Sequence, residues 1–342
     1  MASSYNKQKL GNNMNFIWDT PAGLDSAPRS LYNLKLKSEF IFKLERPMKK
    51  LIFFLMLLMM AALPAAAEPT VIATNFPLYD FARQVAGEAA QVSMLIPPGT
   101  EVHAYDPTPK DMIAVEQCDL LLYVGGESEG WVDTLLSATT DGPDALKLMD
   151  SVEAMEEADH EDHHGDEAYD EHIWTSPVNA MRMVQAIADG LAQQDPDNAA
   201  LYQENAQAYI DEIAGLDAAF RDVVANGSRK LLVFADRFPL AYFAHEYGLD
   251  VIAAFPGCSG ETEPSAQVMR QLIDTVRKDG VPCVYTIEMS TGRVAETVRE
   301  ETGCEVAEFH SCQNVTKDEL EAGETYVSLM RKNLAALELG LR

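Results

Sequence analysis

The chain is short of positive charge. Over 342 residues, 26 Lys and Arg stand against 54 Asp and Glu, a formal net charge of −28. Such a surface repels nucleic acid and anionic lipid and concentrates cations, so nucleic-acid binding is excluded. A bilayer-spanning run is also missing. The apolar stretch Leu51–Leu63 has thirteen residues, where about 20 are needed to cross. The cysteine count is five and odd, so at least one thiol stays unpaired within the chain. No two cysteines have CxxC spacing, which argues against a thiolate zinc cluster.

What is there begins near the N-terminus. Met48-Lys49-Lys50 precedes the apolar run, and Ala65-Ala66-Ala67 follows it. A basic start, a short apolar core and a small-residue end predict a secretory signal peptide over 48–67. Residues 1–47 are then an extension outside the fold. No cysteine follows the apolar run, so no lipid anchor is expected at that cleavage site. All five cysteines fall in the exported part, where disulfides are permitted.

From Thr70 onward, short aliphatic runs alternate with helical patterns. "VIATNF", "AQVSMLIP", "DLLLYVGG" and "ALKLMDS" predict strands, and "PLYDFARQVAG" and "TPKDMIAVEQ" predict helices between them. Ser176-Pro177 starts a further helix as N-cap and first-turn residue. Asp195-Pro196 starts a long one, with apolar residues at Leu201, Tyr202, Tyr209, Ile210, Ile213, Leu216, Phe220, Val223 and Val224, and Asn226-Gly227 ends it. Roughly 30 residues at about 1.5 Å each make a rod near 45 Å long, a strut suited to joining two lobes. Beyond it, "KLLVFA", "VIAAF", "CVYTIEM" and "CEVAEF" alternate with helices again. Alternating βα units imply parallel sheets covered by helices. The expected fold is therefore α/β: an N-terminal lobe over 68–194, a linking helix over 195–227 and a C-terminal lobe over 228–342.

Four of the seven histidines crowd into "EEADHEDHHGDEAYDEHIW", residues 156–174. His160, His163 and His164 sit among carboxylates in a stretch too polar to pack. His172 is the one followed by apolar residues. His103 lies in the proline- and glycine-rich "PPGTEVHAYDPTP", and His310 follows the strand pattern of "CEVAEF". Three histidines at three loop positions, with carboxylates near, suit zinc. His245, inside a helical pattern, reads as a surface or packing residue.

The segments "NFPLYDFARQVAG", "LIPPGTEVHAYDPTPKDM", "DEHIWTSPVNAMRMVQAIADGL" and "DPDNAALYQENAQAYIDEIAGLDAAF" resemble the zinc- and manganese-binding solute receptors of bacterial ABC transporters, across nearly all of 68–342. The resemblance implies two α/β lobes on a rigid long helix, a metal ion between them, and a membrane permease as partner. It places metal ligands at His103 and His172, with His310 where many members have an aspartate. A departure falls in "FADRFPLAYFA", where the family carries a histidine or glutamate. Asp236 is the candidate fourth donor there, an ion pair with Arg237 or a helix cap being its other reading, and Glu288 is the alternative donor. His160, His163 and His164 match the family's histidine-rich, metal-collecting loop, expected over 156–171; a solvated acidic loop is the alternative. Cys258 and Cys312, in loops of one lobe, are expected to pair, as are Cys283 and Cys304 at the starts of consecutive strands, leaving Cys118 as an inert thiol.

The expectation is an exported, periplasmic, monomeric Zn2+ receptor, not an enzyme. A Mn2+ or Fe2+ receptor on the same scaffold is the first alternative. A zinc-dependent hydrolase or a metal-dependent adhesin would be a different class.

Overall fold

The protein is described by a computed structural model that covers residues 48, 50, 68–138, 142–156, 169–255, 257 and 263–342. Ala67–Arg342 form one compact unit containing two four-stranded parallel sheets. In the first lobe, β1 (Thr70–Ala73), β2 (Gln91–Met94), β3 (Leu120–Tyr123) and β4 (Asp144–Lys147) lie in the order β2-β1-β3-β4. The second lobe repeats this with β5 (Leu231–Phe234), β6 (Asp250–Ala253), β7 (Cys283–Thr286) and β8 (Glu305–Glu308), in the order β6-β5-β7-β8. In both, the third strand crosses to the far side of the first. That reversal opens a crevice beyond the carboxyl ends of the strands, where α/β folds bind ligands.

The helices follow their start signals. Asn75 caps α1 (Phe76–Ala86), whose first turn carries Pro77. Thr108 and Asp111 form a capping box on α2 (Pro109–Gln117). A helix not anticipated from sequence, α3 (Gly130–Ala138), joins β3 to β4. Ser176 caps α4 (Pro177–Gln194). The long helix, α5, runs over Ala199–Asn226, and Pro196–Asn198 before it form a separate 3-10 turn. Its 28 residues give a rod of about 42 Å. Tyr202, Ala206, Tyr209, Ile213, Leu216 and Phe220 are its buried stripe, spaced by alternate fours and threes. Leu201, expected on that stripe, is 40% exposed because it falls one position off the face.

A single hydrophobic cluster runs through both lobes. It includes Val71 and Phe81, then Tyr209 and Phe220 on α5, then Phe234, Tyr285 and Phe309. The second lobe carries α6 (Ala241–Tyr247), α7 (Ala266–Asp279) and α8 (Arg293–Thr302), and C-terminal to β8 come α9 (Lys317–Ala322) and α10 (Tyr326–Gly340). Tyr326 of α10 packs edge-on against Phe81 of α1 with ring centroids 5.0 Å apart. Fully buried Asp80 on α1 binds the same three elements together. Its Oδ2 accepts from the Tyr209 hydroxyl at 2.6 Å and from the Tyr326 backbone N–H at 2.9 Å, and its Oδ1 pairs with Arg83 at 3.0 Å. Asp80→Ala leaves two buried donors without an acceptor. We expect it to cost about 3 kcal/mol or more and to lower Tm by several degrees in a thermal melt read by circular dichroism.

The cysteines require a correction. Cys283 and Cys304 are both buried free thiols. Cys283 stands opposite Glu305 in the β7–β8 register, so Cys304 is one residue off and faces the other side of the sheet. Cys283 accordingly joins the large shared cluster, and Cys304 joins a separate one with Val284 and Val298. Cys312 is also a buried free thiol, and its expected partner Cys258 lies outside the described residues. Cys118 is buried and donates to the Val115 carbonyl at 3.2 Å; burial pushes its thiol up to about 11, the inert state expected of it.

Candidate metal centre

The loop after β2 carries His103 in a 3-10 turn, Val102–Ala104. The C-lobe loop after β8 clasps it. The Gly99 N–H donates to the Val315 carbonyl at 2.8 Å, and the Asn314 amide donates to the Pro97 and Thr100 carbonyls at 3.0 and 2.9 Å. Arg237 adds an ion pair to Glu101 at 2.9 Å. On the other side, His172 precedes a 3-10 turn, Ile173–Thr175, whose Trp174 is 1% exposed. The Trp174 indole N–H donates to the Ser311 carbonyl at 2.9 Å, and the Tyr326 hydroxyl donates to the Trp174 carbonyl at 2.8 Å. Both histidines are thus mounted on segments anchored to the second lobe.

Their Nε2 atoms lie 3.3 Å apart. His172 Nδ1 is 2.9 Å from Asp170, and His103 Nδ1 is 2.9 Å from Glu171. A carboxylate facing Nδ1 favours the tautomer with the proton there, which makes Nε2 the acceptor nitrogen of each ring. Both lone pairs are therefore directed into the same space. A tetrahedral zinc with Zn–N bonds of about 2.0–2.1 Å needs its nitrogens about 3.3–3.4 Å apart. The pair already has that bite. A third group arrives from the C-lobe: the Gln313 amide nitrogen is 2.7 Å from His103 Nε2.

Burial pushes the Glu171 carboxyl upward, but the His103 hydrogen bond and the charges of His103 and His172 outweigh it and hold the group at about 2. Nearby Glu129 is buried with its Oε2 accepting from the Gly125 N–H at 2.8 Å; there burial dominates and pushes the carboxyl up to about 7.

The other expected donors are placed differently. His310 is 2% exposed and does not join the pair. Its Nδ1 accepts from the Cys312 N–H at 2.9 Å, so the proton sits on Nε2, whose nearest carboxylate oxygen, on Glu319, is 3.8 Å away. Nδ1 is thus engaged, and Nε2 is buried without a hydrogen-bond partner. Its backbone is held by Asn333 through two hydrogen bonds, of 2.7 and 2.8 Å. Glu288 is equally occupied, accepting from both the backbone N–H and the hydroxyl of Ser311. Asp236 accepts from the Arg237 N–H at 2.9 Å, a local turn bond, while the Arg237 guanidinium reaches Glu101 instead. These three frame the C-lobe loops. Among the described residues, no group of three His, Cys, Asp or Glu is placed to hold one ion. His245 is exposed on α6 (Ala241–Tyr247), as expected.

His160, His163 and His164 lie outside the described residues, between Glu156 and Tyr169, which form an antiparallel bridge. The run His160-Glu161-Asp162-His163-His164 does spell HExxH. Zinc peptidases need those two histidines on one helix face, and this run too is outside the described residues. Sequence reasoning missed Glu171 and Gln313. Each had a signal: Glu171 adjoins His172, and Gln313 lies three residues past His310 in the loop already under suspicion.

Two α/β lobes thus share one core, and two imidazoles stand where their loops meet. The chain belongs to the family described as zinc-uptake complex component A, periplasmic, whose model matches residues 71–340. It is 33% identical over 285 residues to the zinc-binding lipoprotein AdcA of Streptococcus pneumoniae, covering 80% of this chain and 56% of that protein. It thus spans little more than half the length of that relative. It is 31% identical to the high-affinity zinc uptake system protein ZnuA of Bacillus subtilis, covering 78% of this chain and 86% of the relative. Among solved structures, the Zn(II)-bound ZnuA-like domain of S. pneumoniae AdcA superposes with a TM-score of 0.69 at 30% identity, over 80% of this chain and 99% of that one.

Proposed function

We propose that this chain is an extracytoplasmic receptor that captures one Zn2+ between its lobes and delivers it to the membrane permease of an ABC importer. It is a binder and carrier rather than an enzyme. The reading includes export: residues 48–67 act as a signal peptide, and the receptor works in the periplasm or on the outer face of the cell membrane. The observation that carries it is the 3.3 Å separation of two Nε2 atoms whose Nδ1 partners are both carboxylates. Imidazole donors favour zinc over the harder manganese, which prefers more carboxylate. His103 and His172 supply two nitrogens. The Gln313 amide, turned over to present its oxygen, supplies a neutral donor from the C-lobe. A water, or a residue outside the described set, completes the tetrahedron. His160, His163 and His164 serve as weaker collecting sites.

A chelator-competition titration with zinc and with manganese tests this. One tight zinc per chain, further weak equivalents and weaker manganese binding are expected. Tight manganese binding with no preference for zinc would sink the assignment.

A further inference from the structure

The short sequence Gly125-Gly126-Glu127-Ser128-Glu129, at the exit of β3, is not explained by the histidine pair. Gly126 has φ −84° and ψ −176°, a conformation open to any residue. Its lack of a side chain has a different reason. A Cβ built there would lie 2.1 Å from Glu171 Oε2 and 2.4 Å from Glu171 Cβ. The bare backbone of Gly126 is the seat on which the Glu171 side chain rests. Ser128 holds the carboxylate from the same loop, its hydroxyl donating to Oε2 at 2.7 Å and its N–H lying 3.4 Å away. The other oxygen, Oε1, faces His103 Nδ1 at 2.9 Å.

The two carboxylates of the site therefore differ in kind. Asp170 binds His172 two residues away, a contact local to one segment. Glu171 belongs to the same segment as His172 but bonds His103, 68 positions earlier in the chain. It links three separate pieces: the His172 segment, the His103 turn and the loop after β3.

We infer that Glu171, seated on Gly126 and Ser128, is a positioning residue that fixes the Nδ1–H tautomer of His103 and the spacing of the two imidazoles, and so sets the affinity of the metal centre. The inference rests on the zinc-receptor reading. Glu171 touches His103 and not the ion, so it acts through the imidazole. The burial of Glu171, 13% exposed at its side chain, strengthens that hydrogen bond and keeps water from replacing it. The neighbouring Glu129 carboxyl, pushed up to about 7 by burial, carries less than a full negative charge near neutrality, which limits repulsion between the two acids.

The test uses the full chain with Glu171→Ala, Glu171→Gln and Gly126→Ala, the last displacing Glu171 without altering it. Zinc affinity is read by chelator competition, and the His103 tautomer by long-range 1H–15N correlation of the imidazole nitrogens in chelator-stripped protein. Glu171→Ala and Gly126→Ala should each weaken zinc binding by about 10- to 100-fold and move His103 away from the Nδ1–H form. Glu171→Gln keeps an acceptor oxygen and should restore the tautomer with an intermediate affinity. An unchanged tautomer and affinity in Glu171→Ala, while His103→Ala still abolishes tight binding, overturns this inference alone. Unchanged affinity in His103→Ala overturns the metal centre itself. An oxygen of Glu171 found in the zinc coordination sphere by X-ray absorption, and lost in Glu171→Ala, would overturn the positioning role in favour of a ligand.

Discussion

Zinc affinity falls by at least about a thousandfold when His103 and His172 are both replaced by alanine. Losing one outer-shell partner of a metal-binding histidine already costs about 10- to 100-fold, and this double change removes both imidazoles of the 3.3 Å pair. Circular dichroism should remain native. Neither histidine belongs to the shared hydrophobic cluster. His310→Ala is the informative contrast. Its imidazole accepts from Cys312 and stands near Glu288 and Glu319, so its loss should lower Tm while leaving zinc affinity largely intact. Equal loss of binding in His310→Ala, in protein that is still folded, would show that His310 ligates in the bound state. The equilibrium titration separates the two cases because stability and affinity are read on the same samples.

The second large effect is with pH. Zinc binding requires both imidazoles without a proton on Nε2, and an ordinary histidine titrates near 6.5. Below that range each imidazole must give up a proton, so affinity should fall by up to about 100-fold per pH unit. Glu171 does not contribute to this slope. Its carboxyl is held at about 2, so it remains anionic from pH 8 down past pH 4. Because its folded value is depressed, the stability it adds is fully present above the ordinary carboxylate range and is lost only as pH falls toward 2. Affinity should therefore drop between pH 7 and 5 while the folded structure survives. A titration series over that interval, with far-ultraviolet circular dichroism at each pH, checks both. A pH-independent affinity from 7 to 5 would contradict a site built on two neutral histidines.

Much of the architecture was legible before any coordinates. The alternation of aliphatic runs with capped helices located all eight strands, and the spacing along residues 199–226 picked out Tyr202, Tyr209, Ile213, Leu216 and Phe220 as the buried face of the strut. Helix α3 escaped because Gly130 opens it and a masking loop rich in glycine and glutamate precedes it. At the site, the loop positions of His103 and His172 point to a shared metal, and the structure brings their Nε2 atoms to 3.3 Å. His310 is expected as a ligand and Glu288 as an alternative donor because both follow strand ends, and a strand end locates a residue without saying which way its side chain turns. The left-handed backbone at Cys312, with φ 62°, belongs to the turn that brings the Cys312 N–H onto the His310 ring and carries Gln313 onward to His103.

The sequence by itself determined the class of fold, the sign of the surface charge, the strut and the two loops that meet over the crevice. These depend on periodicity, caps and composition, which are local properties of the chain. Only the tertiary structure decided which atoms in those loops face one another. His103 Nδ1 faces Glu171, 68 positions later. On the C-lobe side it is Gln313 that stands 2.7 Å from His103 Nε2, while the His310 ring accepts from the Cys312 N–H. Cys283 and Cys304 lie on opposite faces of one sheet although their strands are neighbours. Each outcome is set by one residue of register or one bond rotation, and both are decided by packing between segments far apart in the chain.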